Sequence, residues 1–392
     1  MSLPNNKFII LDGGMGTMLQ SLGIDIGENP ELLGITNPDA IIGIHKSYID
    51  AGANIIYANT FGINAAKLQG SGYTVSDVVS AAIANAKKAC EGTDMLVALD
   101  IGSLGEMLEP SGTITFEAAY DLFKEKIIAG ADADLIVIET MADLSEIKIA
   151  LSAAKENSDL PVICTMSFDK SMRTYTGCCI PSMALTLQTF GADAIGVNCS
   201  VGPADLLPMI EELSKWTTLP VVVKPNAGLP CGDNMYDMTA DEFSAAVEKL
   251  LPFGVKFIGG CCGTTPEYIK KTVKMLAGYD SSNNKSEVCL PVNFATSPTK
   301  TVVITDEMVI HKPKKIKLSD IDSLIDDAFE QIDNGVDVVS VDISAAPSVE
   351  ITTAIKQLQA VINVPLAVCY SSDDELKAAQ RVYAGVLYAI QQ

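Results

Sequence analysis

The stretch Gly259-Gly260-Cys261-Cys262-Gly263-Thr264-Thr265-Pro266-Glu267 puts two adjacent thiols in a glycine-rich turn. Adjacent cysteines cannot bond each other without straining the peptide between them, but both can ligate one soft cation. Zinc takes four ligands and accepts thiolates readily. A third sulfur is available in Asn198-Cys199-Ser200, which, like the pair, ends an apolar run. Glycines let the backbone approach a bound ion closely. The same thiols also make good small buried hydrophobes, and spacing alone does not choose between a zinc site and a packing role.

Thiols at such positions need strands to carry them. Val255–Ile258 reads as a buried strand running into the pair, and Thr265-Pro266-Glu267 as a helix start, with a hydroxyl at the N-cap, proline at the first helical position and an acid in the first turn. The same alternation fills the first three quarters of the chain. Strands are predicted over 7–11, 53–58, 95–99, 133–138, 161–167, 194–198, 220–223 and 255–258. Helical periodicity runs over 38–51, 76–90, 116–129, 144–155, 181–190, 204–215, 240–251 and 266–276. Eight such units are the count of an α/β (β/α)8 TIM barrel, and continuous Val/Ile runs fit parallel strands buried on both faces. Active sites of this fold lie at the C-terminal strand ends. Asp12, Asn59, Thr60, Asp100, Glu139, Asn198, Cys199, Asn226, Cys261 and Cys262 all fall there. Cys199 on the sixth strand and the pair on the eighth are close enough around the ring for three sulfurs to meet.

Four ordered motifs carry a resemblance: Asp12-Gly13-Gly14-Met15-Gly16-Thr17, Asn59-Thr60-Phe61-Gly62, Gly196-Val197-Asn198-Cys199-Ser200 and the Gly259–Pro266 stretch. Across roughly residues 5–280 the chain resembles the homocysteine S-methyltransferase family, and within it the homocysteine-binding module of cobalamin-dependent methionine synthases. The resemblance implies a zinc ion on Cys199, Cys261 and Cys262, with Asn226 of Lys224-Pro225-Asn226 as a weak, displaceable fourth ligand. It implies that L-homocysteine binds through its sulfur, loses the thiol proton to the metal and takes a methyl group to become methionine, with no protein base assigned. Asp12 and Glu139 are implied at the amino-acid end. Glu139 is suited to accept from the ammonium, and the Gly13 and Gly14 amides to hold the carboxylate. Thr60 and Asn198 complete the expected substrate-binding set.

The methyl donor expected is a methylcorrinoid protein that supplies methylcobalamin; no Asp-x-His-x-x-Gly cobalamin motif occurs here, so the donor itself is not read from the sequence. S-methylmethionine or another sulfonium is the alternative donor. A non-catalytic zinc subunit that docks a corrinoid or folate protein is the alternative class. Betaine is disfavoured because Met141-Ala142-Asp143 replace the aromatic residues of the betaine enzyme.

Composition narrows the remaining classes. The chain has 392 residues, 48% of them hydrophobic, and a net charge of −22. Such acidity argues against nucleic acid, whose phosphates require clustered Lys and Arg. No apolar run reaches membrane-span length, the first residues lack a signal-peptide pattern, and ten scattered cysteines suit a reducing cytoplasm. The two histidines, His45 and His311, leave little room for imidazole catalysis. Cys178-Cys179, a second vicinal pair, lacks the glycine bed and reads as structural.

Beyond residue 280 the texture changes. Residues 281–300 read as a polar linker and extended segment after a 1–280 barrel, and 301–392 as a small α/β lobe. The lobe resembles the start of a pterin-binding barrel, truncated. It departs from that pattern at Met308, Val309, Ser340 and Cys369, where pterin-holding polar residues are expected. The expectation is a lobe that binds no methyltetrahydrofolate. Its open sheet edges lean on the barrel or pair with a second copy in a homo-oligomer.

Overall fold

The computed structural model describes residues 8–279 and 288–391, apart from residues 26, 28, 233, 234 and 309. Residues 281–287 of the expected linker, Lys7 of the first strand and Val309 therefore lie outside the described residues. Eight parallel strands form one sheet: β1 (Ile9–Ile10), β2 (Ile55–Tyr57), β3 (Leu96–Ile101), β4 (Leu135–Met141), β5 (Val162–Met166), β6 (Ala194–Asn198), β7 (Val221–Lys224) and β8 (Val255–Ile258). β8 pairs with both β7 and β1, Ile9 standing opposite Phe257. A bridge from Leu11 to Ile55 joins β1 to β2 and closes the ring. Asn54 secures that closure twice, its amide donating to Ile10 O at 2.7 Å and its Oδ1 accepting from Ile10 N at 2.9 Å. The result is the (β/α)8 barrel expected from the alternation.

Strand periodicity of two divides the apolar residues into two sets. Ala98, Val137, Ile163, Ala194, Val222 and Phe257 face the barrel axis and fill it. Alternate residues such as Leu99, Ile136, Val197 and Val223 face outward and pack beneath the helices in the larger core. Closure leaves no slack at Gly196, where a Cβ would lie 1.9 Å from Val222 O. Helices begin with local caps: Thr74 and Thr239 each form a capping box, and Asp143 accepts from Ser145 N and Glu146 N. Pro266 starts the last barrel helix as expected, but the Thr265 hydroxyl makes no cap bond. Elements that escaped the periodicity include a helix Met15–Ser21 after β1, the short helical segments Pro30–Leu32 and Leu33–Thr36, and a small hairpin of Pro230–Gly232 with Met235–Tyr236 after β7.

The C-terminal lobe opens with an antiparallel pair, β9 (Phe294–Thr296) and β10 (Thr301–Val303), the first inside the stretch read as extended. A parallel sheet follows, β11 (Val339–Asp342), β12 (Leu366–Tyr370) and β13 (Tyr388–Gln391), with helices Ile321–Asp333, Ser348–Val361 and Asp373–Val382. The lobe sits against barrel helices. Lys148, 2% exposed on helix Leu144–Asn157, donates to the carbonyls of Gln380 and Tyr383 in the lobe. Its ammonium also lies 4.1 Å from the Phe190 ring centroid. Cys179 N donates to Pro298 O, and Ser182 and Thr186 meet Thr301 and Thr296 through their hydroxyls. The pairs Lys356–Glu117 and Arg381–Glu156 lie at the partly exposed rim, where such pairs contribute about 0–1 kcal/mol. Cohesion therefore rests on the buried contacts. Among the described residues no helix is long and apolar enough to cross a membrane.

His45 is fully buried in helix Pro38–Asp50, and neither ring nitrogen has a partner. Burial lowers its pKa to about 4. The unfolded chain takes up a proton first as pH falls below about 6.5, so stability is lost between there and the folded-state value. Urea unfolding of His45→Leu should lose about 2 kcal/mol less than the parent between pH 7 and pH 5. Equal losses in the two proteins would show that His45 is not a source of acid sensitivity.

Candidate metal and substrate site

One step beyond the apolar filling, the next inward positions of the strands are polar. Tyr57 on β2, Asp100 on β3, Glu139 on β4, Thr165 on β5, Asn198 on β6 and Lys224 on β7 form a floor beneath the C-terminal mouth. Asn198 is completely buried and knits three strands together. Its Oδ1 accepts from Thr140 N at 2.9 Å and from Thr165 Oγ1 at 2.8 Å, and its Nδ2 donates to Thr140 Oγ1 at 2.6 Å and Glu139 Oε2 at 3.4 Å. Thr60 is equally buried, its hydroxyl donating to Asp100 O at 2.7 Å and so tying β2 to β3.

Lys224 is the centre of this floor. Its Nζ lies 3.4 Å from Asp12 Oδ1, 3.4 Å from Glu139 Oε2 and 3.6 Å from the Tyr57 ring centroid. Asp12 also accepts from Tyr57 N at 2.8 Å. Burial opposes the charge on Lys224, but its neighbours, Glu139 foremost, hold its pKa well above the usual value. Burial raises the pKa of Asp12 to about 6 and that of Glu139 above the carboxylate range, with Lys224 only partly offsetting it. The shifts agree physically, because one cation serves two acids: the lysine is held charged while the carboxylates share a negative surplus. Burial, and Glu139 after it, also push Asp100 well above the usual range.

Above the floor stand the cysteines. The sulfurs of Cys199, Cys261 and Cys262 all lie within 4.8 Å of one another, and Cys199 Sγ is 4.0 Å from Cys262 Sγ. Zn–S bonds of about 2.3 Å at tetrahedral angles require S···S separations of roughly 3.8 Å, so this donor set suits zinc with little adjustment. Left-handed φ values at Cys199 and Ser200, 60° and 62°, turn the chain out of β6. Such backbone costs about 1–3 kcal/mol per residue, and Cys199 N→Lys224 O at 3.0 Å helps to hold it. Sulfurs this close cannot all ionise together. Hydrogen bonds from Cys199, then Cys261, hold the Cys262 pKa down at about 3, while the same contacts push Cys261 well up.

The loop after β7 is fastened to the cysteine turn. Cys261 N donates to Pro225 O, Cys262 N to Asn226 Oδ1 at 3.1 Å, and Ala227 N to Cys262 O. Asn226 thus has its amide oxygen on the backbone N–H of Cys262. The hairpin brings Tyr236 onto Gly263, whose φ is 79° and where a Cβ would stand 2.3 Å from the ring. Burial, and Cys262 after it, push the Tyr236 pKa up to about 12. From the other side, a Cβ on Gly14 would come 2.8 Å from Cys261 O, so the Gly13-Gly14 turn lies directly against the pair. Asp12, Gly13, Gly14, Glu139, Asn198, Cys199, Asn226, Cys261 and Cys262 are gathered at this mouth. Cys178 and Cys179 sit instead at the lobe seam. Lys224 and Tyr236 were not singled out from sequence. Lys224 had one signal, a charge ending the apolar run Val221-Val222-Val223, whereas Tyr236 had none. A separate cleft of about 930 Å³ lies between the loops after β3, β4 and β5 and the lobe, lined by Met107, Asp143, Tyr175, Thr299, Lys356 and Asn363 among others. No cysteine of the cluster lines it.

The family model described as homocysteine S-methyltransferase matches residues 9–276. The methionine synthase of Mycobacterium leprae is 29% identical over 296 residues, 69% of this chain and 24% of that protein. That of Mycobacterium tuberculosis is 29% identical over 302 residues, 71% and 25%. The match thus spans about a quarter of the length of these relatives. Among solved structures, the metallated form of the homocysteine methyltransferase MmuM from Escherichia coli has a TM-score of 0.59 at 22% identity, covering 68% of this chain and 96% of that one. Its apo form gives 0.56 at 23%, covering 69% and 96%. At this identity the likeness is one of fold.

Lys224→Met should destabilise the protein by about 3–5 kcal/mol at pH 7, since it strands two buried carboxylates. The deficit should narrow as pH falls through about 6, where Asp12 takes up its proton. Denaturant midpoints at pH 7.5 and 5.5 would check this, and a pH-independent deficit would count against the ionic role.

Proposed function

The chain belongs to the homocysteine S-methyltransferase family, and from that premise we propose that it transfers a methyl group to the thiol of L-homocysteine, producing methionine, with zinc held by Cys199, Cys261 and Cys262. The observation that carries this reading is the meeting of three sulfurs from two strands above a floor of surplus negative charge. Bound there, zinc would supply a position at which a substrate thiol gives up its proton and stays a nucleophile at neutral pH. The protein's own groups do the rest. The Asn226 amide oxygen, held near Cys262, is placed to act as a weak fourth ligand that a substrate sulfur displaces. The Tyr236 ring covers Gly263, which limits water on that side. Glu139 keeps Oε1 for the substrate ammonium, while Lys224 and Asn198 hold its Oε2 in place. The Gly13 amide, in a turn pressed against the cysteine pair, is suited to the substrate carboxylate, whereas the Gly14 amide already donates to Thr264 Oγ1 at 3.3 Å.

For the donor we favour a methylcorrinoid protein. Support comes from the methionine synthases to which the chain is similar. The lobe is read as a structural module without a pterin site. Where such a site needs free polar groups, Asp342 Oδ1 already accepts from Ser344 N and Oγ, and Ser340 N is bound to Gln331 Oε1.

Two experiments test this. Zinc-loaded protein should methylate homocysteine from methylcobalamin faster than from S-methylmethionine or betaine. Cys261→Ala should lose both metal and transfer, and full zinc occupancy in that variant would refute the site. Glu139→Gln should weaken homocysteine binding by about 1.5–3 kcal/mol, as for a hydrogen bond to a charged group, with zinc content unchanged. Unaltered affinity by calorimetry would leave Glu139 a purely structural role.

A further inference from the structure

The turn that carries Cys261 and Cys262 contains Gly259, Gly260 and Gly263, and glycine loses more conformational freedom on ordering than any other residue. Such a turn needs outside fastening if its two sulfurs are to stand in place before an ion arrives. Part of the fastening comes from the loop after β1. Gly260 N donates to Asp12 O at 3.0 Å, Gly263 N to Thr17 Oγ1 at 2.9 Å and Gly14 N to Thr264 Oγ1 at 3.3 Å. The Thr264 hydroxyl in turn donates to Cys261 O at 2.7 Å.

Tyr48 adds a contact of another kind. It is 1% exposed and stands on the helix Pro38–Asp50, outside both segments. Its hydroxyl lies 3.2 Å from Gly14 O and 3.1 Å from Thr264 O. A phenol has one proton, so the two carbonyls share a single donor and are drawn to a common point. Glycine permits the approach: a Cβ on Gly13 would stand 2.8 Å from the Tyr48 hydroxyl and 2.8 Å from Thr264 Oγ1. A buried tyrosine hydroxyl usually finds a partner. Here it has two, both backbone carbonyls, 34 and 216 residues away in the chain, and they belong to the two segments that meet beside the cysteine pair.

We propose that Tyr48 is a positioning residue, clamping the loop after β1 to the turn of Cys261 and Cys262 and so presetting two of the three sulfurs for the metal. The inference rests on the reading of these sulfurs, with Cys199, as zinc ligands. Tyr48 acts through the backbone that holds them. With the turn ordered in advance, an ion meets donors that need little further ordering, and affinity rises accordingly.

Tyr48→Phe deletes one oxygen and keeps the ring. On the full-length protein, competition with a chromophoric chelator should show zinc held about three- to tenfold more weakly, the equivalent of one hydrogen bond. In metal-free protein, iodoacetamide should modify Cys261 and Cys262 several-fold faster, while the exposed Cys289 reacts at the parent rate. Thr264→Val, which removes the hydroxyl between Gly14 and Cys261, should reproduce both changes, and Thr264→Ser should keep the parent values. Ile44→Val takes one buried carbon from the same helix; it controls for general destabilisation and should change neither readout. Parent-like zinc affinity and alkylation in Tyr48→Phe would overturn the clamp, and so would an Ile44→Val variant that matches Tyr48→Phe. If the parent takes up no zinc, the functional reading fails, and the alkylation comparison decides the clamp by itself.

Discussion

The site depends on one buried ammonium that faces two buried carboxylates. At 3.4 Å each attraction is worth about 5 kcal/mol at an effective dielectric of 20. Removing each ion from water costs several kcal/mol, so the triad gains little net stability. What it contributes is charge and placement. Lys224 reaches across from β7 to β4 and to the end of β1, fixing both acids at the mouth. Because one cation cannot neutralise both, the mouth keeps a negative bias without opening the floor to water.

Much of the barrel was legible because parallel strands buried on both faces leave apolar runs such as Val221-Val222-Val223, and helices announce themselves through caps such as Thr74 and Thr239. The cysteines were legible because two adjacent thiols among glycines have few uses. Lys224 was harder to read. A lysine after an apolar run looks like the solvated end of a strand, and only the register of the closed ring turns it inward. Tyr236 lies on a hairpin too short for any periodicity. Thr265 had the right residue type for a cap, yet Thr264 makes the local bonds, donating to Cys261 O at 2.7 Å. Lys148 belongs to an ordinary amphipathic pattern, and its burial follows from the lobe, which its own helix does not encode.

The lobe and the barrel share one buried seam. Lys148 carries no carboxylate partner there; it meets carbonyls near the C-terminal end of helix Asp373–Val382, where the helix dipole favours a cation. Cys178 and Cys179 belong to the same seam, so the two vicinal cysteine pairs have opposite surroundings. One is packed among apolar and hydroxyl groups, and the other is ringed by donors at a polar mouth.

Ile9 pairs with Phe257, which joins nearly the first described residue to the end of the barrel. A chain emerging from the ribosome cannot make that pairing until almost all of the barrel has been synthesised, and loop closure over such a span is slow. The cysteine cluster draws on β6 and β8, so it forms in the same late event. The meeting of the three sulfurs is thereby tied to completed folding: nascent chains hold the thiols apart until the ring is finished.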